Sequence, residues 1–327
     1  MEEGQRLNCK PIIGSLNALG FHETAFLSSD NLPEKFFQNS EMPEYSTLII
    51  GFFPFENTGK TGLIAPFALK NHYKDMVRRM KQALKEAGDP FSELNKRQVR
   101  FFSNSRFPEK EMAITGGLGF RGRNTLVINT EFGSRGLLGG MILPYRLEEQ
   151  KQDGQINKIN SEISCGTCRL CEEACPGAAL KDYRLDRSKC LQHWTSEDGA
   201  VPDSLKEVWG ERIYGCMICQ DCCPWNKKDR KGNSIDLGMI TPEPPLKFYL
   251  TKCKEDIKSE FKGTALGMSW IKAEHLIRNA IISSACSENK NLNEYISKFQ
   301  DADDDGIKDA ARWALKKSDH TGSQAGQ

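Results

Sequence analysis

The sequence lacks any apolar run near the roughly 20 residues that a membrane-spanning helix requires, so no membrane association of that kind is expected. Its start, Met1-Glu2-Glu3-Gly4, is acidic and no apolar core follows it, which argues against a secretory signal. Charge of one sign is scarce as well. The 45 Lys and Arg are balanced by 44 Asp and Glu, for a net charge of +1. There is thus no overall nucleic-acid signature, and any RNA contact has to come from a local patch. Also missing is the dinucleotide fingerprint, whose glycines follow a strand and open a helix. What remains is a chain of 327 residues, 38% hydrophobic, with a mean hydropathy of -0.55. That suffices for two or three compact units of a soluble globular protein, expected to be cytoplasmic and monomeric.

Cysteine is not scarce. Of the 12 present, Cys165, Cys168, Cys171 and Cys175 are followed at once by Pro176. This is C-x2-C-x2-C-x3-C-P, the run by which bacterial two-cluster ferredoxins hold a 4Fe–4S cube. A second group, Cys216, Cys219, Cys222 and Cys223, is again closed by a proline, Pro224. Zinc sites usually pair two C-x2-C knuckles without the x3-C-P ending, so two such runs favour two 4Fe–4S clusters and electron transfer over zinc. Within the second group, strict x2 spacing selects Cys216, Cys219 and Cys222, with Cys223 crossing to the other cluster. A set that uses Cys223 in place of Cys222 stays open. Cys9, Cys253 and Cys286 stand alone and read as small core hydrophobes. Thiolates that must stay reduced fit a cytosolic compartment.

Periodicity makes the chain α+β, with an N-terminal α/β domain over residues 1–155. Tyr45 to Phe53 reads as a buried strand. Lys70 to Ala87 spaces Tyr73, Met76, Val77, Met80 and Leu84 as an amphipathic helix, which Asp89-Pro90 stops. A strand near Val99 to Phe102 and a helix from about Glu109 follow. Next comes a glycine-rich segment, Gly116 to Thr125, and then Leu126 to Asn129 as a strand. The polar stretch Gln150 to Gly154 leads into a ferredoxin-like module, 156–235. A helical region, 236–318, is expected to pack Ala273 to Ala280 and Gly306 to Lys317 as an antiparallel pair. Residues 319–327 read as a disordered tail. Asp301, Asp303, Asp305 and Gly306 open like a calcium loop, but Arg312 stands where a bidentate Glu is required, so an acidic loop before a helix is expected instead.

Several stretches together resemble the epoxyqueuosine reductase family. They are Gly117-Leu118-Gly119-Phe120-x-Gly122-x-Asn124-Thr125, Phe132-Gly133-Ser134 with Leu138-Gly139, the first cysteine run, Cys190, and Arg212-Ile213-Tyr214-Gly215-Cys216. Cys223-Pro224-Trp225-Asn226-Lys227 is the most specific. Arg278-Asn279-Ala280 and Ala311 to Leu315 resemble the family's HEAT-like helical repeat. These enzymes depend on cobalamin and iron–sulfur clusters, and they remove the epoxide oxygen from a tRNA base. The resemblance implies one cluster on Cys165, Cys168, Cys171 and Cys223, a second on Cys175, Cys190, Cys216 and Cys219, and Cys222 as a spare thiol. It implies a base-off cobalamin between the N-terminal domain and the cluster module, near Gly122, Val127, Asn129 and Leu138.

Two departures stand out. The family's proposed proton donor, an Asp, falls at Ser103, and its Asp-Tyr-His falls at His72-Tyr73-Lys74. A serine hydroxyl is a poor acid at neutral pH, so Glu109 is the tentative substitute or the substrate differs. A ferredoxin or flavodoxin type of donor is expected to supply electrons. Any tRNA is expected to meet Arg212, Lys227, Lys228, Arg230 and Lys231, with help from Arg278 and Arg312. The competing readings are an electron-transfer protein with no substrate of its own and a corrinoid reductase of the reductive dehalogenase type.

Overall fold

The computed structural model describes residues 6–28, 47–55, 62–94, 97–147, 163–226, 244–287 and 290–324. They fall into two units. The first comprises Met1–Glu56, Tyr73–Arg169 and Cys223–Asp236, and the second Asn57–His72, Leu170–Cys222 and Leu237–Gln327. In place of three consecutive domains there are two units interleaved in sequence, and the cysteine-rich stretch is divided between them.

The first unit is built on β2 (Thr47–Pro54), every residue of which is buried. β2 lies between β1 (Glu23–Ser28) and β6 (Gly136–Leu143), with β3 (Arg100–Phe102) on the far side of β6. Each pairing is antiparallel. The α/β domain expected from the sequence is built on this antiparallel sheet with helices, an α+β arrangement. A strand covered on both faces loses its polar alternation, which is why this one reads as a continuous apolar run. Leu48, Ile50 and Phe52 point into a cluster with Met112 and Ala113 of α3 (Glu109–Thr115). Ile49 and Phe53 point the other way, to Ile12 and Leu16 of α1 (Lys10–Ala18) and Met76, Met80, Ala83 and Leu84 of α2 (His72–Glu86). Burying each of these large side chains is worth about 2 kcal/mol. The opposite face of α2 leaves Lys74, Arg78, Lys81 and Lys85 exposed, as helical spacing requires.

The second unit has its own core around Trp209, Tyr249, Phe261, Leu266 and Ile271. Two helices, α10 (Ala273–Cys286) and α12 (Asp305–Gln324), pack against each other in it, through Leu276, Ile277, Ala280 and Ile281 on one side and Ile307, Ala310, Ala311 and Ala314 on the other. Between α2 and α10, in chain order, come β4 (Phe120–Arg121), β5 (Val127–Ile128), α4 (Leu170–Glu173), β7 (Leu180–Lys181), β8 (Arg184–Leu185), α5 (Leu191–Trp194), α6 (Asp203–Lys206), α7 (Ile218–Asp221), α8 (Leu246–Thr251) and α9 (Lys254–Glu260). α12 runs to Gln324, so the tail expected from 319 is helical over its first residues. Polarity alone does not end a helix when no glycine or proline intervenes before Gly322. The acidic loop before α12 is tied by Arg312, whose guanidinium bonds Asp301 at 3.2 Å. Cys9 is buried as a core residue, whereas Cys253 is exposed and caps α9, its Sγ accepting the Asp256 N–H at 3.4 Å.

Candidate functional site

In the first unit the glycine-rich segment forms a two-stranded hairpin. Phe120 pairs with Ile128 and Arg121 with Val127, and the turn is closed by Thr125 N–H to Gly122 O and Gly122 N–H to Leu126 O, both 2.9 Å. A Cβ on Gly122 would come within 2.5 Å of Ile128 Cδ1 and 2.6 Å of Asn124 Oδ1. The glycine is required by the turn itself. Phe120 and Ile128 then form an apolar cluster with Cys165, Cys223, Ile163 and Trp225. The Arg123 N–H points at Cys165 Sγ, 3.4 Å away.

The Cys-Pro-Trp-Asn sequence proves to be a clip. Asn226 is buried; its Oδ1 accepts the Ser134 N–H at 2.8 Å and its Nδ2 donates to Ser134 Oγ at 2.9 Å. Gly133 has φ +63°, and a Cβ there would collide with Asn226 Oδ1 and lie 2.7 Å from the Trp225 carbonyl oxygen. Trp225 meets Phe120 edge-on, with 5.3 Å between centroids. Cys223 is thereby fixed beside Cys165 and Cys168. Burial pushes the Cys223 thiol up, the Cys165 and Cys168 thiols add to this, and the N–H groups of Trp225 and Asn226 pull it back. Asn226→Ala removes both side-chain bonds and is expected to destabilise the unit by about 1–3 kcal/mol. Denaturant unfolding of the two proteins checks this, and unchanged midpoints would contradict it.

The second unit gathers the other thiols. Cys175 follows α4, Cys190 precedes α5, Cys216 lies just before α7 and Cys219 within it. Burial raises the Cys219 thiol far above its ordinary pKa, and the neighbouring thiols of Cys216, Cys190, Cys171 and Cys175 raise it further. Cys190 is raised likewise, by burial first and then by Cys216 and Cys175. Crowded, buried sulfurs of this kind are poor anions alone and good ligands for a cationic centre, which takes them deprotonated. Among the described residues, no three or more His, Cys, Asp or Glu side chains converge as for a single ion. A cube spreads its thiolates over separate irons, so the donor set fits a cluster. The Ala179 N–H donates to Cys175 Sγ at 3.3 Å, a bond of the type that tunes cluster potentials. Cys222 turns its Sγ towards the carbonyl of Cys219, at 3.7 Å.

α10 supports these loops through two residues that the sequence reading used differently. Asn279, fully buried, donates from Nδ2 to Thr195 O at 2.9 Å and Ile213 O at 2.8 Å. It thus joins the end of the Cys190 helix to the strand of chain entering Cys216. Cys216 N–H in turn donates to Gln192 Oε1 at 3.0 Å. Arg278 donates to Trp194 O at 2.5 Å, Glu197 O at 2.6 Å and Gly199 O at 2.8 Å. Burial lowers its pKa to about 10, still charged at neutral pH. Arg278 is 2% exposed, so it is a tie for the cluster loops and not an RNA contact. Arg312 is committed to Gln300 O and Asp301, and Arg212 is half-buried. Lys227, Lys228, Arg230 and Lys231 lie outside the described residues.

A groove of about 750 Å³ opens in the first unit, lined by Lys74, Arg78, Lys81, Lys85, Phe101 and Ser103 among others. The Ser103 hydroxyl donates to Leu138 O at 3.1 Å. Glu109 is tied to its own loop. Its carboxylate accepts the N–H groups of Asn104 and Ser105 at 3.0 and 2.8 Å and the Ser105 hydroxyl at 2.9 Å. Burial raises its pKa and those bonds hold it down. Asn104 sits at φ +50°, and Glu109 is what braces that loop.

The four positions that the resemblance gives to a corrin are largely committed to the fold. Val127 is buried in the cluster beneath the sheet. Asn129 donates to Glu23 Oε2 at 2.5 Å and Leu118 O at 2.8 Å, and its Oδ1 accepts the N–H groups of Glu131 and Phe132, both 2.9 Å. Gly122 is required by its turn. Leu138 alone is half-exposed. Three of these four residues are thus engaged by the fold itself.

Residues 164–226 match the family described as 4Fe-4S double cluster binding domain. That span contains nine of the cysteines, Cys165 to Cys223. The chain is also similar to epoxyqueuosine reductases. That of Escherichia coli (strain K12) is 31% identical over 195 residues, 57% of this chain and 47% of the relative. The matched stretch thus spans about half the length of such curated relatives. In fold the likeness runs further. The epoxyqueuosine reductase of Streptococcus thermophilus superposes with a TM-score of 0.71 at 24% identity, over 97% of this chain and 93% of that one. A crystal structure of an epoxyqueuosine reductase with an epoxyqueuosine-modified tRNA-Tyr stem loop gives a TM-score of 0.73 at 20% identity, covering 94% and 89%. The mixed helix-and-sheet architecture is that of epoxyqueuosine reductase structures.

Proposed function

We propose that this chain is an oxidoreductase of the epoxyqueuosine reductase type, which passes electrons through two 4Fe–4S clusters to a modified base in tRNA. The observation that carries the reading is the sorting of the thiols. Cys165 and Cys168 neighbour Cys223 in the first unit, while Cys171, Cys175, Cys190 and Cys216 neighbour Cys219 in the second. This sorting supports one cluster on Cys165, Cys168 and Cys223 and another on Cys175, Cys190, Cys216 and Cys219; the resemblance adds Cys171, which lies beside Cys219, to the first, the crossing pattern of two-cluster ferredoxins. Crossing of that kind keeps two clusters close enough for electrons to move between them. A soluble donor of the ferredoxin or flavodoxin type would refill them one electron at a time.

The resemblance read in the sequence adds a cobalamin, which when bound would supply a strongly reducing cobalt centre. Gly122, Val127 and Asn129 are engaged by the fold itself, so no step is derived through it. What the chain's own residues do is clear at other points. The cysteines hold and tune the clusters, Asn279 and Arg278 position the Cys190 and Cys216 loops, and Glu109 braces the loop that carries Ser103. Reductive removal of an epoxide oxygen consumes two electrons and two protons and releases water. Ser103 is a poor source of the proton at neutral pH.

The test is turnover: the anaerobically reconstituted protein, given cobalamin, a chemical reductant and an epoxyqueuosine-bearing stem loop, with product read by mass spectrometry. Conversion to queuosine is expected. No conversion by protein with both clusters loaded would contradict the proposal.

A further inference from the structure

We infer that the groove between α2 and β3 seats the sugar–phosphate backbone of an RNA substrate. This deepens the tRNA reading above and rests on it. Lys74, Arg78, Lys81 and Lys85 follow one another at steps of four, three and four residues, so they share one face of α2. All four line the groove, and none of its eleven lining residues is an acid. The carboxylates beside the groove are engaged, Glu86 by Gln82 at 2.8 Å. Asp75 is buried between Arg78 at 2.5 Å and Arg79 at 3.0 Å, and Glu109 is held by its own loop. The Asp75 pair tempers Arg78, and Lys81 and Lys85 add their charge to the wall.

Shape separates a polyanion from a small anion. A pocket for one phosphate converges its donors on a point, whereas here the cations are strung over twelve residues of helix, about 16 Å from first to last. A line of charges of that length fits a few nucleotides of extended backbone. Phe101 forms part of the wall, with Lys81 Nζ 5.5 Å from its ring centroid. Ser103 and Ser105 line the same groove, which brings the track to the position where the resemblance places the reaction's proton donor.

The experiment is fluorescence anisotropy with a labelled, unmodified anticodon stem-loop RNA and the full chain carrying its clusters, over a series of salt concentrations. Lys81→Gln/Lys85→Gln is expected to bind about tenfold more weakly at low salt, with a log–log salt slope smaller by roughly 2. Lys252→Gln/Lys262→Gln removes the same charge from exposed positions of the second unit and is expected to bind as wild type does. If the groove variant binds like wild type, or both pairs weaken binding equally, the groove assignment is overturned while the tRNA reading stands on its own turnover test. Absence of RNA binding by wild type at low salt overturns both.

Discussion

Cys219→Ala is expected to lose one cluster outright, taking the iron content from about eight atoms per chain to about four. Four thiols raise the Cys219 pKa together with its burial, so it lies at the centre of the second-unit set. Removing it leaves a cube with three ligands at most. Cys190→Ser is expected to act in the same direction, losing or converting one cube. Cys222→Ser is expected to leave iron unchanged, because that sulfur addresses the Cys219 carbonyl. The comparison is decisive between the two ligand sets left open by spacing. Iron lost from the Cys222 variant and retained in the Cys190 variant would overturn the assignment. Asn279 offers a milder version: Asn279→Ala leaves the cysteines in place but breaks the bridge between their loops, at about 2 kcal/mol, and slower reconstitution of one cluster is expected.

The second large effect concerns Ser103. With the family's acid restored, Ser103→Asp is expected to raise epoxyqueuosine turnover by about a hundredfold over wild type, the range of a single general acid. The lining cations would favour the ionised carboxylate and lower its pKa, so the gain should grow as pH falls. Equal turnover by the two proteins, both with clusters loaded, would show that the proton reaches the substrate by another route. Glu109→Gln is expected to act differently. It weakens the brace on Asn104 and Ser105 and loosens the loop without removing an acid from the groove, so its effect should be nearly independent of pH. A loss confined to one limb of the pH profile would restore Glu109 as a proton donor.

Much of this was legible in the sequence and some of it was misread for identifiable reasons. Cysteine spacing is set by short loops, so the first run and the C-P endings read directly. Choosing Cys223 over Cys222 needed the resemblance, since both satisfy a local count. The helix of Tyr73 to Leu84 was visible because one face meets a core and the other water. The antiparallel sheet was not, because β2 is covered on both sides and alternation vanishes. Arg278 looked like a surface cation, and only the fold shows three carbonyls around it. Nothing in the order of residues relates Asn226 to Ser134, 92 positions away, although the fixed Cys-Pro-Trp-Asn order was a sign that Asn226 has a geometric duty. The interleaving of two units likewise depends on contacts between distant segments that no local pattern encodes.

The most direct test of the central claim, two clusters on two sorted sets of thiols, is iron and acid-labile sulfide analysis with electron paramagnetic resonance on anaerobically reconstituted protein. About eight irons and eight sulfides per chain are predicted, with a reduced spectrum broadened by coupling between two nearby paramagnets. About four irons, and a simple uncoupled signal, would contradict it.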